Sequence, residues 1–135
     1  MVTPEILRKY RGKSIAYLTE KAQESVNRFV RKRDSINGFF ICISCQELKP
    51  INQMNAGHYY EKTIYKSVRF DLNNVNGQCV RCNKYLSGNL IEYRKNLLKK
   101  IGEEKLKQLD KLAELKNFRF TREFLIELIE KYKNI

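Results

Sequence analysis

The residues whose type and spacing most clearly suggest chemistry are the four cysteines, which all lie in the middle of the chain. They form two Cys-x2-Cys pairs, Cys42/Cys45 and Cys79/Cys82, with 33 residues between the pairs. Two such tight turns facing each other are the usual way in which four thiolates bind one tetrahedral zinc ion. In a reducing compartment this pattern favours metal ligation over disulfides. The sequence therefore predicts a closed structural zinc site without an open position for a substrate.

The single histidine, His58, lies between the two cysteine pairs. A lone histidine is by default a residue without a special function, and four thiolates already suffice for the zinc. However, imidazole titrates near neutral pH, so it can take a proton from an attacking water molecule. Because His58 falls at the predicted end of a strand inside the cysteine-bracketed stretch, we interpret it as a candidate general base.

Short strands are predicted to position these side chains. Residues 39–43 form an apolar run that would deliver the first cysteine pair, and residues 54–59 would bring the histidine to the end of a second strand. Residues 68–72 are predicted to return as a third strand. The asparagines and the glycine within 73–77 are typical of turns leading into the second pair. A short helix is then expected over 82–86.

Amphipathic helices are predicted on both sides of this core. The first begins at Ser14, a good N-cap, and carries an apolar stripe with spacings of three and four residues. After residue 90, helices are expected over 90–101, 103–116 and 121–133. Residues 1–13 are polar and basic, and are interpreted as a solvated terminus or a DNA-contacting arm.

The predicted fold class is therefore α+β, in one domain that spans residues 1–135. Its parts are an N-terminal helix over 14–36, a zinc-bound core over 39–89 and a C-terminal helical region over 90–135. The C-terminal helices could close the core of the monomer or form the interface of a homodimer, and the sequence does not choose between these.

The charge of the chain indicates its partners. Lysine and arginine number 27 against 15 acidic residues, for a net charge of +12, so a polyanion is expected. No apolar run approaches the ~20 residues of a membrane helix, so no membrane partner is expected. The N-terminus lacks the apolar region of a secretory signal, which predicts an intracellular, cytoplasmic protein.

Three residues of the core resemble the HNH (His-Me finger, ββα-metal) nucleases: His58 at a strand end, Asn74 five residues before the second cysteine pair, and Asn83 directly after it. More narrowly, the strings A-G-H-Y, N-x-x-x-Q-C-V-x-C-N-K and L-S-G-N-L resemble the NinG (Rap) recombination proteins of lambda-type phages. The resemblance is densest over residues 42–102. It implies a small zinc-bound ββα-metal core, in a protein of the bacterial host cell if the chain is phage-encoded.

This resemblance also implies an activity. It predicts a metal-dependent endonuclease that hydrolyses phosphodiester bonds in DNA, on branched recombination intermediates such as D-loops or four-way junctions. His58 would activate water, Asn83 would bind a catalytic Mg²⁺ or Mn²⁺ ion, and Asn74 would brace the loop that orients the histidine. The chain departs from the commoner HNH form at Gly57, where a metal-binding aspartate or histidine is often found. A second protein ligand therefore stays open between Asp71, Asn55 and water.

Basic side chains near the core are predicted to bind phosphates without reading sequence. Arg69 and Arg94 are the first candidates because both lie within the resemblance. The others are Lys62, Lys66, Arg81 and Lys84.

Tyrosines 59, 60 and 65 could stack on unpaired bases or could pack in the core.

Two hypotheses compete with the nuclease. One is a non-catalytic zinc-binding module that docks on nucleic acid, which needs the cysteines and the basic face but has no use for His58 or Asn83. The other is a zinc module for protein interaction, which the charge of +12 argues against.

Overall fold

Two small antiparallel sheets occupy the middle of the chain and helices lie on either side of them. The computed structural model describes residues 2–135. Its helices are α1 (Pro4–Lys9), α2 (Ile15–Arg33), α3 (Leu90–Ile101), α4 (Glu103–Ala113) and α5 (Arg122–Tyr132). Its strands are β1 (Ser35–Ile36), β2 (Phe39–Ile41), β3 (Leu48–Pro50), β4 (Met54–His58) and β5 (Val75–Cys79). Short helical turns lie at Ile51–Gln53, Lys66–Val68 and Arg81–Tyr85. The predicted α+β class is confirmed.

The strands form one sheet in the order β1-β2-β3 and a second sheet of β4 and β5. In the second sheet Met54 pairs with Cys79 and His58 pairs with Val75. The register therefore places the histidine and a zinc-site cysteine at opposite ends of the same ribbon.

Helix α2 packs against α5 and the β4–β5 sheet. Its N-cap Ser14 accepts a hydrogen bond from the backbone N–H of Tyr17 at 3.0 Å, as the sequence predicts. The apolar stripe of α2 is fully buried and contacts α5 and the β4–β5 sheet. Its members are Leu18, Ala22, Val26 and Val30. Removing this stripe from water is the main stabilising contribution of the helix.

A second apolar cluster lies under α3 and α4 and a third surrounds the cysteines. The second cluster joins Tyr93 and Leu97 of α3 to Leu106 and Leu109 of α4, together with Val68. The third contains the buried residues Phe40, Met54, Cys42, Cys79 and Cys82. The cysteine region therefore has only a small apolar core of its own.

The predicted strand over residues 68–72 is wrong. Residues 66–68 form a helical turn, and the strand that pairs with β4 is Val75–Cys79. Asn76, predicted as a turn residue, is buried in this strand because its side-chain amide donates to the carbonyl of Asn73 and to the hydroxyl of Tyr93. Tertiary hydrogen bonds thus allow a polar segment to form a buried strand.

The interpretation of residues 1–13 as a solvated terminus does not hold for residues 3–10, which are folded against α5, whereas the alternative of a DNA-contacting arm stays a prediction; Met1 lies outside the described residues. Thr3 caps the short helix α1, accepting a hydrogen bond from the N–H of Ile6 at 3.2 Å. The hydroxyl of Tyr10 donates to Glu130 of α5, and Arg122 of α5 donates to the carbonyl of Tyr10. These contacts fix the segment against α5.

The remaining helices agree with the predictions from the sequence. Gly102 separates α3 from α4, and Thr121 caps α5 through the N–H of Phe124 at 3.1 Å. Within residues 2–135, none of the helices has the length and apolar character needed to cross a lipid bilayer.

Candidate functional site

The four cysteine side chains converge on one point. Their sulfur atoms all lie within 4.8 Å of one another, and the Sγ atoms of Cys45 and Cys79 are 3.9 Å apart. Tetrahedral Zn–S bonds of ~2.3 Å require sulfur atoms separated by roughly 3.8 Å. The cluster therefore has the composition and spacing to hold one zinc ion, as the sequence predicts.

Different elements deliver the two halves of this cluster. Cys42 and Cys45 lie on the tight turn after β2, which the N–H of Gln46 closes onto the carbonyl of Cys42 at 2.9 Å. Cys79 ends β5 and Cys82 lies in the turn Arg81–Tyr85. Backbone N–H groups point at the sulfurs, for example from Cys79 to the Sγ of Cys42 at 3.3 Å. Such donors stabilise thiolates, which is the form that binds a metal.

His58, the last residue of β4, is held in one tautomer. Its Nε2 atom lies 2.9 Å from the backbone carbonyl oxygen of Arg69. A carbonyl oxygen can only accept, so Nε2 carries the proton and Nδ1 keeps a free lone pair. Burial lowers the pKa of His58 to about 4, although the hydrogen bond to Arg69 opposes this shift. The imidazole is therefore neutral at pH 7, with Nδ1 able to accept a proton.

Asn74 fixes the segment that follows His58. It is fully buried, its Oδ1 accepts from the N–H of Tyr60 at 2.8 Å, and its Nδ2 donates to the carbonyl of Tyr60 at 3.0 Å. The same amide also donates to the carbonyl of Val68 at 3.1 Å. One side chain thus joins both ends of the long loop between β4 and β5.

Asn83 lies in the turn Arg81–Tyr85, directly after the buried cysteine Cys82, and is half-buried. Among the described residues 2–135, no hydrogen bond holds its side-chain amide, and none joins it to His58 or Asn74. The structure thus brings Asn74 into contact with the loop after His58 and leaves the oxygen of Asn83 free for another ligand.

Gly57 has no room for a side chain. A β-carbon placed there would lie 2.0 Å from Oε1 of Gln78. Gln78 is itself fully buried and anchored, since its Nε2 donates to Ser44 Oγ at 2.9 Å and to the carbonyl of Gly88 at 2.6 Å. An aspartate or histidine at position 57 would therefore have to displace Gln78. This cross-strand contact explains why the chain has glycine where the resemblance suggests a metal ligand.

The two open alternatives for that ligand have different surroundings. Asp71 is partly buried, and its Oδ1 accepts from the N–H of Asn73 at 2.9 Å, which shapes the turn before β5. Asn55 carries a buried amide nitrogen that has no hydrogen-bond partner within residues 2–135. Neither side chain is linked to His58 by a hydrogen bond in this part of the chain.

Of the two arginines predicted to bind phosphates first, Arg69 is used inside the protein. It is only 7% exposed, its Nε donates to Gln23 at 2.9 Å, and its guanidinium pairs with Glu20 at 3.2 Å. The prediction of Arg69 as a phosphate contact is corrected, because reaching a phosphate would break these buried contacts.

The other predicted cations remain at the surface. Arg94 is partly exposed and makes a bidentate pair with Asp110, at 3.0 and 2.8 Å, which raises the pKa of the guanidinium. Lys66, Arg81 and Lys84 are exposed and Lys62 is half-buried. These lysines and Arg81 are available to a polyanion, whereas Arg94 is already partly neutralised.

The three tyrosines considered for base stacking lie instead against the second apolar cluster. Tyr60 contacts the rings of Tyr59 and Tyr65 at centroid distances of 4.9 Å, and its hydroxyl donates to Asp110. Tyr59 also contacts Tyr93 at 5.3 Å. The packing interpretation is therefore correct for these residues.

Two residues near the site were not identified as candidates from the sequence. Gln78 stands beside Cys79 in the N-x-x-x-Q-C-V-x-C-N-K string, but its contact with Gly57 depends on the register of β4 and β5, which the sequence does not show. Tyr85 lies one turn beyond Cys82 and is 78% exposed. The sequence feature that could have identified Tyr85 is an aromatic residue next to a lysine, Lys84, shortly after the second cysteine pair.

The comparisons with known proteins agree on one family. A family model described as "Bacteriophage Lambda NinG protein" matches residues 5–135. The protein ninG of Escherichia phage 933W is 39% identical over 104 residues, which is 77% of this chain and 50% of the relative. The ninG proteins of Escherichia phage lambda and Salmonella phage P22 are each 38% identical, over 77% and 87% of this chain and 49% and 55% of their own length.

The chain therefore spans about half the length of the curated relatives it matches. No solved structure matches the fold.

Proposed function

We propose that this chain, which belongs to the NinG family, is a metal-dependent DNA endonuclease with an HNH-type ββα-metal core. The observation that carries the proposal is the state of His58. Its Nε2–H is bound to the carbonyl of Arg69 at 2.9 Å and its pKa is lowered to about 4, so Nδ1 is an unprotonated acceptor at neutral pH. A general base needs an oriented nitrogen that is unprotonated at the pH of the reaction, and the hydrogen bond from Nε2 to Arg69 leaves Nδ1 of His58 as such a nitrogen.

The order of the elements supports the same core. Strands β4 and β5 pair antiparallel, and the helical turn Arg81–Tyr85 follows β5. This order puts His58 at the end of the first strand and Asn83 in the helical segment. The cysteine cluster ties the end of β5 and this turn to the turn after β2. Bound zinc would hold the segment that carries Asn83 in a fixed position.

In the proposed reaction, Nδ1 of His58 takes a proton from a water molecule. The water oxygen forms a bond to the phosphorus, the bond between the phosphorus and the sugar oxygen of the leaving strand breaks, and that oxygen acquires a proton from solvent. A Mg²⁺ or Mn²⁺ ion bound through the free oxygen of Asn83 would neutralise charge on the phosphate and on the leaving oxygen. Asn74, through its bonds to Tyr60 and Val68, keeps the loop beside His58 in place.

The charge distribution supports DNA as the substrate. The chain carries a net charge of +12, and Arg81 and Lys84 are exposed on either side of Asn83 in the same turn. Such cations bind backbone phosphates regardless of sequence. We assign the substrate as branched DNA of the D-loop or four-way-junction type, in keeping with the family resemblance. Cutting two strands of such a structure would suit a homodimer.

A cleavage panel tests the proposal. Purified zinc-loaded protein is incubated at low salt with linear duplex, single-stranded, D-loop and four-way-junction DNA, with Mg²⁺, Mn²⁺ or no added divalent ion. The His58→Ala variant is assayed alongside, and zinc content and DNA binding are measured for both proteins. We expect divalent-dependent cutting of branched DNA by the wild type and none by the variant. Binding without cutting on every substrate and ion would contradict the enzyme and favour the non-catalytic docking module.

A further inference from the structure

Two apolar side chains lie fully exposed on either side of the short connection between the zinc-site turn and α3. Tyr85 precedes residues 86–89 and is 78% exposed, and Ile91 follows them and is 84% exposed. Tyr85 forms no ring contact with another aromatic residue among residues 2–135. Both side chains therefore offer apolar area for contact with another molecule.

The connection between these two side chains has a defined backbone. The N–H of Gly88 donates to the carbonyl of Cys82 at 2.8 Å, and the buried amide of Gln78 donates to the carbonyl of Gly88. The side chain of Asn89 donates to the Sγ of Cys82 at 3.5 Å. Ser87, Gly88 and Asn89 all have positive φ angles, of 50°, 89° and 42°. A backbone strained in this way persists only where its surroundings determine it.

The charges around these side chains are mainly positive. Arg81 and Lys84 are exposed in the turn that carries Tyr85, and Lys95 lies one helical turn after Ile91. The acidic neighbour on α3, Glu92, pairs with Lys95 at 3.5 Å. An exposed aromatic ring among cations fits a ligand that is both anionic and flat-faced, whereas a second copy of this chain would bring the same positive charges together.

A groove of about 650 Å³ between α3 and α4 includes Ile91 in its lining. Its apolar lining comes from Leu90, Ile91, Leu98 and Leu106. Arg94, Lys95 and Lys107 line the same groove together with Glu103. Arg94 pairs with Asp110 at 2.8 Å and Lys107 pairs with Glu103 at 3.1 Å, so this groove offers mainly apolar contact to the bases of an unpaired strand, and the exposed cations that can contact its phosphates are Arg81 and Lys84.

We propose that Tyr85, at the end of the turn that carries Asn83, and Ile91 at the start of α3 bind unpaired nucleobases of DNA. In duplex DNA the faces of the bases are covered by stacking, so this site would distinguish strands with unpaired bases from a continuous duplex. The inference rests on the proposed function for its ligand, DNA, but it concerns binding and does not require cleavage.

The test measures binding of fluorescently labelled forked DNA and blunt duplex DNA of matched length, with Ca²⁺ in place of Mg²⁺. We expect Tyr85→Ala to weaken binding of the forked DNA about five- to 100-fold and to leave the blunt duplex almost unchanged. Tyr85→Phe should retain the affinity of the wild type. Tyr17→Ala is the matched control, because Tyr17 is an exposed tyrosine on α2. A 2-aminopurine base at the fork should be quenched by the wild type and not by Tyr85→Ala.

Three results would overturn the proposal. Tyr85→Ala could lose the same affinity for forked and for blunt DNA, it could lose no affinity for forked DNA, or the wild type could bind both DNAs equally. A dimer that dissociates in the Tyr85→Ala variant would show instead that a second copy covers this surface. Zinc content measured for each variant excludes a folding defect. A wild type that binds forked DNA through Tyr85 but never cuts it would refute the nuclease and leave this site intact.

Discussion

At the scale of single residues, buried amides shape the surroundings of His58. Asn74 bonds to the backbone of Tyr60 and Val68, and Gln78 fills the space beside Gly57. The residue types of His58, Asn74 and Asn83 were apparent in the sequence because their spacing resembles a known pattern. The contact between Gln78 and Gly57 was not, because it requires the register of β4 and β5. The burial of Arg69 also depends on a partner far away in the sequence, Glu20 on α2.

The low pKa of His58 predicts a specific pH dependence of stability. In the unfolded chain the imidazole titrates near pH 6.5, and burial lowers its pKa in the folded protein to about 4. Between these values the unfolded state binds more protons, so the free energy of unfolding falls as the pH is lowered. We expect a loss of about 2 kcal/mol between pH 7.5 and 5 in urea unfolding experiments.

The His58→Gln variant isolates the contribution of the histidine, because its free energy of unfolding should not include the decrease of about 2 kcal/mol between pH 7.5 and 5. Asp34, Glu61, Asp110 and Glu130 also have lowered pKa values, but they titrate at lower pH and are common to both proteins. Identical pH profiles for wild type and His58→Gln would show that His58 is protonated as easily in the folded state as in the unfolded state.

The contact between Gly57 and Gln78 predicts a coupled pair of substitutions. Gly57→Ala should destabilise the protein by about 1–3 kcal/mol, because the new β-carbon would lie 2.0 Å from Oε1 of Gln78. The Gly57→Ala/Gln78→Ala double variant removes the clash with Oε1 and keeps only the Cβ of residue 78, at 3.0 Å, so the two effects should not add. A double-mutant cycle by chemical denaturation measures the coupling. Strict additivity would contradict the close approach of the two residues.

At the scale of elements, the sequence predicts the helices well and the strands less well. The start of α2 at Ser14 and of α5 at Thr121 follows from local capping and periodicity, which need no tertiary information. Strand β5 escapes prediction because Asn76 and Gln78 look like turn or surface residues until their buried partners are known. Helix α1 escapes it because it is short and polar and depends on contacts with α5.

The loop between β4 and β5 should depend on Asn74. Asn74→Ala removes three hydrogen bonds and leaves the backbone N–H and carbonyl of Tyr60 unpaired, whereas the carbonyl of Val68 keeps the N–H of Asp71; we expect a cost of about 1–3 kcal/mol. We expect faster amide hydrogen exchange throughout residues 59–74, while α5 remains protected. Asn73→Ala is the matched control, because only backbone groups of Asn73 make hydrogen bonds there. Equal exchange in the two variants would show that Asn74 does not hold the loop.

At the scale of the whole molecule, two apolar clusters flank a small central region that depends on its cysteines. The first cluster joins α2 to α5 and the second joins α3 to α4. Between them, the apolar residues around the cysteines are few. The net charge of +12, from which we predict a polyanionic partner, was already visible in the composition. The composition does not show which lysines and arginines are exposed, because tertiary packing decides that.

Zinc should therefore contribute much of the folding free energy of the central region. We expect removal of zinc by a chelator to lower the midpoint of thermal unfolding strongly and to abolish its cooperativity. Cys79→Ser should behave like the zinc-free wild type, since Cys79 is a buried member of the cluster. Circular dichroism together with a colorimetric zinc assay measures both effects. An unchanged midpoint after complete zinc loss would contradict a structural role for the metal.

The most direct test of the account is the single-turnover rate of strand cleavage on the branched DNA that the wild type cuts best. The zinc-loaded wild type, His58→Ala and the control Asn73→Ala are compared with Mg²⁺ present, with and without added imidazole. We predict that His58→Ala lowers the rate about 10²- to 10⁴-fold, that imidazole restores part of it, and that Asn73→Ala cleaves like the wild type. A zinc-loaded His58→Ala protein that cleaves at the rate of the wild type would contradict the role of His58 as the general base.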